Sequence, residues 1–410
     1  MNFRKTTLEN GLDIIAEVNP AAASMAAGFF VRTGSRDETP AVSGVSHFLE
    51  HMVFKGTDKR SAMDVNLEFD RMGANYNAFT SEEHTVYYGA VLPDYQDSIL
   101  ELLADILRPA LREEDFQTEK QVILSEIALY EDEPYFRLYD NLMTLHFTDH
   151  PLGNVILGTP ESITNLQRDQ MQAYFDKRYS PTNLTLVGVG SVDFDRFVDS
   201  AREYCCHWTP FDARRDKPDN TAAGRRKTMV DPKLSRQNIG MMSSAPAAQS
   251  DDRYAAQILS TILGDDTSSR LYYALVDRGL ADEASTAYNP MDQAGIWMTM
   301  ISCGPEAAGQ VAEIALDEIR KFRAEGPEQA EITAAANKIA SSATLKGEIP
   351  MGRLSAVGFD WVYGSNYRPL DEQIESIMSV TRQDVMRLAE TYEIDKVDIL
   401  SLGPAEALDI

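Results

Sequence analysis

The sequence alternates between short apolar runs and longer segments in which apolar residues recur every three or four positions. Residues 26–35 form a run of small and apolar residues that is typical of a buried strand. Residues 45–55 and Glu113–Glu131 carry apolar residues at helical spacing, so we expect two amphipathic helices. Near the start, two strand-like runs flank Asn10-Gly11, a dipeptide that predicts a hairpin turn.

The second half of the chain repeats the order of elements found in the first half. The strand-like run at residues 238–246 corresponds to the run at 26–35, and similar runs at 184–190 and 397–403 close the two halves. This self-similarity predicts an internal duplication. We expect an α+β fold made of two homologous α/β-sandwich domains, each with a mixed, largely antiparallel sheet and with helices on one face.

The length of 410 residues also favours two domains, because single hydrophobic cores rarely grow beyond about 250–300 residues. The stretch at residues 211–232 is rich in Asp and Arg, contains Pro and Gly, and has little periodicity, which is typical of a linker. The sequence therefore predicts an N-terminal domain at 1–210, a linker at 211–232 and a homologous C-terminal domain at 233–410.

The charge of the chain excludes one class of partner. The formal net charge is −26, whereas proteins that bind nucleic acids present a basic face, so no nucleic-acid partner is expected. The negative charge has two open interpretations. It forms a surface that keeps the protein soluble, or it lines a cavity that attracts basic peptides.

The sequence predicts neither contact with a membrane nor an oxidising compartment. No apolar run approaches the roughly 20 residues of a bilayer span, and the first residues do not resemble a secretion signal. The three cysteines are an odd number, and Cys205 and Cys206 are adjacent, which does not suit a framework of disulfides. We therefore expect a cytoplasmic protein with no membrane partner.

The strongest chemical signal is an H-x-x-E-H sequence at residues 47–51, within the first predicted helix. Residues four apart lie one above the other on a helix, so His47 and His51 can direct two imidazoles to one metal ion. Glu50 lies on the neighbouring flank, where its carboxylate can reach water bound to that ion. With Glu126 as a third ligand, the set predicts an open, catalytic site. Zinc is inferred from the type of ligand, since other divalent ions also bind nitrogen and oxygen atoms.

A pattern with three fixed positions also recurs by chance, and its alternative interpretation is an exposed helix with two structural histidines. Other residues favour the metal site. The helix has an apolar face that would partly bury both histidines, which would then need partners. Glu119 lies seven residues before Glu126 on the same face of the second predicted helix, and a strand-like run at residues 74–80 lies between the two helices.

Residues 47–57 read His-Phe-Leu-Glu-His-Met-Val-Phe-Lys-Gly-Thr, and Glu126 follows the second histidine by 75 residues. In both features the chain resembles the pitrilysin/insulinase family of inverted-motif (H-x-x-E-H) zinc metallopeptidases. It is most similar to the two-domain branch that includes the mitochondrial processing peptidase β subunit. The resemblance covers essentially the whole chain, and it implies that each chain forms half of a clamshell.

The resemblance also implies a role for each residue at the matching positions. His47, His51 and Glu126 would be the ligands of one zinc ion per chain, and Glu50 would be the general base. Glu119 would support the ligands. A substrate peptide would bind along a sheet edge formed by Asn77, Ala78, Phe79 and Thr80. In the mechanism that the resemblance implies, zinc-bound water activated by Glu50 attacks the peptide bond.

The second domain departs from the family pattern. The resemblance implies that an arginine and a tyrosine of this domain contribute to the active centre, but this chain has Leu275 and Asp282 at those positions. A phenol that would stabilise an oxyanion is thus replaced by a carboxylate that would repel it. A homodimer and a heterodimer both remain open, and in the heterodimer a homologous chain supplies the facing second domain.

Three functional hypotheses follow from the sequence. The first is a zinc-dependent endopeptidase that hydrolyses unfolded or presequence-like peptides, held as an added edge strand in a closed chamber. The second is a zinc-binding subunit of a heteromeric peptidase that is inactive without a metal-free partner. The third is a non-proteolytic, structural core-type subunit, which the four intact motif positions disfavour.

Overall fold

The computed structural model describes residues 1–215 and 224–406, which divide into two compact units. The first unit contains residues 1–128, 154–215 and 345–369, and the second contains residues 129–153, 224–344 and 370–406. Neither unit is a contiguous stretch, unlike the predicted domains at 1–210 and 233–410. Each unit instead includes one segment from the other half of the sequence.

The first unit is built on a six-stranded sheet. Its strands are β1 (Asn2–Thr7), β2 (Asp13–Val18), β3 (Met25–Val31), β4 (Asn75–Thr80), β5 (Thr85–Val91) and β6 (Leu184–Gly190). The strand order is β1-β2-β6-β3-β5-β4, and all neighbours are antiparallel except β2 and β6. The first hairpin turn contains the predicted Asn10-Gly11, but the hydrogen bond from Gly11 N to Leu8 O places Glu9 and Asn10 at its centre, and Gly11 follows in the left-handed region at a φ of 87°.

The second unit is built on a five-stranded sheet. Its strands are β7 (Arg226–Val230), β8 (Gln237–Ser244), β9 (Ala281–Met291), β10 (Ala294–Cys303) and β11 (Asp398–Gly403). Their order, β7-β11-β8-β10-β9, repeats the order β2-β6-β3-β5-β4 of the first sheet. Each sheet also has a single parallel pair at the same place, β7 with β11 in the second sheet. The structure thus has the internal repeat that the sequence predicts.

Part of the predicted linker at residues 211–232 is a strand. Arg226–Val230 forms β7 and pairs with β11, and residues 216–223 lie outside the described residues. The linker prediction missed β7 because this edge strand is exposed or half-buried along its length, so its sequence has no alternation of apolar and polar residues.

The helices connect the strands of both units. In chain order they are α1 (Val45–Val53), α2 (Ala62–Met72), α3 (Gln96–Ile106), α4 (Glu113–Glu131), α5 (Pro134–His146), α6 (Pro160–Asn165), α7 (Arg168–Arg178), α8 (Phe194–Cys205), α9 (Arg253–Gly264), α10 (Ala308–Glu325), α11 (Gln329–Gly347), α12 (Pro350–Gly364), α13 (Leu370–Met378) and α14 (Arg382–Thr391). Helix α4 has the predicted bounds, and α1 ends two residues before the predicted end at residue 55.

Helices cover both faces of the first sheet. On one face, Phe29 of β3 shares a core with Phe48 of α1 and Phe116 of α4. On the other face, Phe30 packs against α12. Helix α12 lies very close to the sheet there, because a Cβ atom at Gly358 would be only 2.2 Å from Cζ of Phe30.

Helix α5 has the corresponding place in the second unit. Leu138 and Leu142 of α5 share a core with Met242 and Leu400 of the second sheet. The predicted α+β fold with mixed, largely antiparallel sheets is confirmed, and the structure adds a helix on the second face of each sheet. None of the described helices has both the length and the apolar character that a membrane span requires.

Candidate active site

Helix α1 carries the H-x-x-E-H motif and is fixed at both its start and its apolar face. The helix begins after Gly44, and a buried carboxylate binds its first N–H groups: Gly44 N and Ser46 N donate to the two oxygens of Glu38 over 2.6 and 2.7 Å. Phe48 stacks on Phe116 at 4.7 Å between ring centres. This contact holds the motif against helix α4, which carries Glu119 and Glu126.

The two motif histidines and Glu126 converge on one point. Nε2 of His47 lies 3.8 Å from Oε1 of Glu126, and Nε2 of His51 lies 3.6 Å from Oε2 of the same carboxylate. One ligand atom from each of the three residues lies within 4.8 Å of the other two. The structure thus brings together the three residues that the sequence predicts as metal ligands.

This cluster has the properties expected of a zinc site. Both nitrogen–oxygen separations are longer than a hydrogen bond, and they are close to the roughly 3.3 Å expected between two ligands of one tetrahedral ion. Two imidazole nitrogens and one carboxylate are a ligand set that suits zinc and leaves a fourth position open.

The surroundings of His47 and Glu126 also suit a cation, whereas at His51 burial acts to lower the pKa but Glu119 and Glu126 outweigh burial and raise it. Burial, aided by the nearby His51, lowers the pKa of His47 to about 3, so its imidazole is neutral and keeps a lone pair for a metal ion. Burial raises the pKa of Glu126, although His51 opposes this rise. A bound cation would offset the cost of burying this carboxylate in its charged form.

Glu119 supports one of the histidines and is itself held by a lysine. Oε1 of Glu119 lies 2.9 Å from Nδ1 of His51, and Oε2 lies 2.5 Å from Nζ of Lys55. Although burial acts to raise the pKa of Glu119, the contacts with His51 and Lys55 outweigh burial and lower it. The carboxylate is therefore charged and directs Nε2 of His51 towards Glu126. Sequence reasoning missed Lys55, which lies two residues past the end of α1 and therefore has no helical-spacing signal.

Glu50 lies beside the three clustered residues and is held by β4. The hydroxyl of Thr80 donates to Oε2 of Glu50 over 2.6 Å. Burial raises the pKa of Glu50, while the hydrogen bond from Thr80 and the charge of His51 act in the opposite direction. A half-buried carboxylate with a raised pKa is suited to taking up a proton.

Strand β4 forms an edge of the first sheet beside helix α1. It pairs with β5 only, and no other strand among the described residues pairs with its outer edge. Side chains alternate along it: Ala78 shares the core of α1, whereas Phe79 packs towards Phe359 of α12 at 6.3 Å between ring centres. The side chain of Asn77 accepts a hydrogen bond from the N–H of Ala78 over 2.9 Å. The outer edge can accept an added strand.

The two departures from the family pattern lie in different surroundings in the second unit. Leu275 is fully buried within a π-helical turn at Tyr272–Val276. Asp282 is exposed on β9 and forms an ion pair with Arg236. These positions therefore offer neither a free guanidinium nor a phenol.

Comparison with known proteins identifies the family. The family model described as insulinase (peptidase family M16) matches residues 13–160, and the model described as the peptidase M16 inactive domain matches residues 165–339. The chain therefore belongs to the insulinase family of peptidases, peptidase family M16.

Individual relatives match along nearly the whole chain. An uncharacterised zinc protease of Mycobacterium tuberculosis is 31% identical over 408 residues, which cover 98% of this chain and 93% of the relative. An uncharacterised zinc protease of Streptomyces coelicolor is 31% identical over 413 residues, which cover 98% and 89%. The crystal structure of a protease from Helicobacter pylori has the same fold, with a TM-score of 0.91, 21% identity and coverage of 98% and 99%.

These matches confirm the predicted family and the predicted class of enzyme, a metallopeptidase. The names of the relatives agree with zinc as the predicted cofactor. The roles of individual residues, the number of zinc ions, the oligomeric state and the division into domains stay predictions.

Proposed function

We propose that this protein is a zinc-dependent endopeptidase that hydrolyses unfolded or presequence-like peptides. In this proposal, His47, His51 and Glu126 hold one zinc ion per chain, and Glu50 is the general base. The observation that carries the proposal is the approach of both Nε2 atoms to the Glu126 carboxylate, at 3.8 and 3.6 Å. The relatives that are named zinc proteases support the choice of metal.

In this proposal, zinc, Glu50 and Glu119 have different roles in the hydrolysis of the peptide bond. Zinc in such a site acts as a Lewis acid on a carbonyl group and lowers the pKa of water. The Glu50 carboxylate takes a proton from the attacking water and returns it to the leaving amine. Glu119 keeps His51 oriented through the contact of 2.9 Å with Nδ1.

The edge strand β4 supports the proposed class of substrate. A peptide binds along Asn77, Ala78, Phe79 and Thr80 by adding a strand, and only an unfolded segment can adopt that extended form. The net charge of −26 would favour basic segments if part of it lies near this edge. We also propose that two chains assemble into a closed chamber that encloses the peptide. A cytoplasmic location stays a proposal from the sequence.

Replacement of one ligand tests the metal site. Glu126→Gln removes a charged ligand, so we expect the purified variant to lose most of its bound zinc and its cleavage of a quenched basic peptide. Glu131→Gln, at the exposed C-terminal end of the same helix, is the matched control and should keep both. Wild-type zinc content in Glu126→Gln would refute this assignment of the third ligand.

A second candidate function is a zinc-binding subunit of a heteromeric peptidase that is inactive without a metal-free partner. Buried Leu275 and ion-paired Asp282 favour it, because neither residue can stabilise an oxyanion. A heterodimer is thus proposed beside the homodimer. A non-proteolytic structural subunit is disfavoured, because the four motif residues are present and the three proposed ligands converge.

A further inference from the structure

The contact between Thr80 and Glu50 joins two parts of the proposed active site. Thr80 is the last residue of β4, and its Oγ1 lies 2.6 Å from Oε2 of Glu50 on helix α1. Hydrogen bonds of hydroxyl groups to carboxylates are the short ones, with oxygen–oxygen distances of roughly 2.5–2.7 Å. The distance therefore indicates a strong, charge-assisted contact.

Among the described residues, the hydroxyl of Thr80 has one acceptor closer than 3.5 Å, the carboxylate of Glu50. The neighbouring hydroxyl, that of Thr85, is 3.5 Å away, and Thr85 donates its own proton to the carbonyl oxygen of Thr33 over 3.0 Å. Thr80, the last residue of β4, and Thr85, the first residue of β5, are paired in register. The sheet thus fixes the position of the Thr80 hydroxyl, and the hydroxyl is directed to Glu50.

Glu50 needs such a contact because helix α1 fixes its backbone and Cβ atom but leaves the carboxylate group free to rotate. The long, flexible side chain of a glutamate loses rotational freedom when it is held in one position. A base must also be within hydrogen-bond reach of the proton that it removes. The contact with Thr80 restricts the movement of the Glu50 carboxylate. It holds the carboxylate next to β4, the strand along which the peptide is proposed to bind.

We propose that Thr80 is a positioning residue that fixes the Glu50 carboxylate relative to the peptide-binding strand. Its side chain acts on the base, and any contact with substrate is made by its backbone. This inference rests on the proposed role of Glu50. It adds a link between the strand that binds the peptide and the group that moves the proton.

Replacement of Thr80 by residues of similar shape tests the inference. Thr80→Val keeps the branched side chain and removes the hydroxyl, whereas Thr80→Ser keeps the hydroxyl. We expect kcat of Thr80→Val to fall by roughly tenfold to a hundredfold, since small displacements of a catalytic group cost about that much. KM and zinc content should stay close to the wild-type values, and Thr80→Ser should recover most of kcat. The assay uses the assembly that cleaves the peptide, either this chain alone or this chain with its partner.

The opposite edge of the same sheet offers a matched control. Thr7 is the last residue of β1, and its hydroxyl donates to the carboxylate of Asp13 over 2.7 Å. Thr7→Val therefore removes a similar contact at a distant edge, and kcat should not change. Thermal unfolding of all variants is measured in parallel.

Several results would overturn the inference. The first is an unchanged kcat in Thr80→Val. The second is a raised KM with unchanged kcat, which would make the side chain a substrate contact. The third is an equal loss of kcat in Thr80→Val and Thr80→Ser together with lower zinc content or thermal stability, which would make the role of Thr80 structural. Glu50→Gln in the same assay separates the two proposals. If that variant keeps full activity, the proposed role of Glu50 fails and the role of Thr80 fails with it.

Discussion

At the scale of single residues, charged groups next to the three proposed metal ligands form a chain of contacts. Lys55 contacts Glu119, and Glu119 contacts Nδ1 of His51, which leaves Nε2 of that imidazole directed to Glu126. Partners of this kind fix the orientation and the tautomer of a ligating histidine. Glu119 thus orients a proposed ligand without contributing an atom to the cluster.

Glu119→Gln should lower the affinity for zinc by roughly tenfold to a hundredfold, which is the usual effect of losing such a partner. The amide has nearly the same size, but it lacks the charge that attracts the imidazole and the ammonium group of Lys55. Competition with a coloured chelator measures the affinity. Glu114→Gln, an exposed position in the first turn of the same helix, is the control and should bind zinc as the wild type does. Equal affinities for wild type and Glu119→Gln would rule out this role.

Some residues of the site could be predicted from the sequence and others could not. The spacing of His47 and His51 lies within one helix, where four positions bring side chains to one face, so it could be predicted. The hydroxyl contact between Thr80 and Glu50 depends on how β4 packs beside α1, and no local pattern encodes that arrangement. Lys55 was missed because it follows the end of the helix at Val53, where the helical spacing no longer applies.

At the scale of elements, the start of helix α1 depends on a residue outside the helix. Gly44 precedes the helix and has no side chain to bind its first N–H groups, so Glu38 binds them instead. Glu38 is buried, and burial raises its pKa to about 8, although the N–H groups of Ser46 and Gly44 oppose this rise. The motif helix therefore begins at a carboxyl group that titrates close to neutral pH.

The raised pKa of Glu38 predicts a pH-dependent stability. The pKa is higher in the folded chain than the ordinary value of 4.5, so the stabilising contribution is complete below that value and is lost as the pH rises through about 8. Relative to Glu38→Gln, the wild type should lose up to about 1.4 kcal/mol of unfolding free energy per pH unit in this window.

Urea unfolding at several pH values between about 5 and 8 measures this difference. Glu161→Gln is the matched control, because Glu161 is an exposed acidic residue in the first turn of α6. The difference from the wild type should change more with pH for Glu38→Gln than for this control. A difference that does not change with pH for Glu38→Gln would show that the Glu38 carboxyl group titrates alike in the folded and the unfolded chain.

Elements with local signals were predicted well, and the placement of elements was not. Helix α4, whose apolar spacing is a signal within the helix itself, has the predicted bounds Glu113–Glu131. Helix α12 is different: its contact with the first sheet includes the buried ion pair of Arg353 with Glu17, 336 positions apart. Periodicity predicts a buried face for such a helix, but it does not indicate which sheet the face covers.

At the scale of the whole molecule, the second unit bears on whether one kind of chain is enough for catalysis. We expect this chain alone to cleave a basic peptide slowly, because Leu275 and Asp282 provide no donor to an oxyanion. A homologous, metal-free chain that carries the family's arginine and tyrosine should raise the rate by about 10²–10³, the usual effect of one such donor.

Titration of this chain with that partner, followed by the rate of peptide cleavage, measures the effect. The partner with its tyrosine changed to phenylalanine is the control, and it should bind without restoring the full rate. Strong cleavage by a homogeneous preparation of this chain would contradict the heterodimer and favour a homodimer.

Glu50 is proposed to be the base of a zinc peptidase site formed by His47, His51 and Glu126. The most direct measurement compares bound zinc and cleavage of a quenched basic peptide in the wild type and in Glu50→Gln, in the assembly that is active. We predict one zinc ion per chain in both proteins and a loss of cleavage by about 10²–10⁴ in the variant, because an amide cannot take up the proton. A variant that cleaves at the wild-type rate would refute the role of Glu50, and a wild type without zinc would refute the metal site.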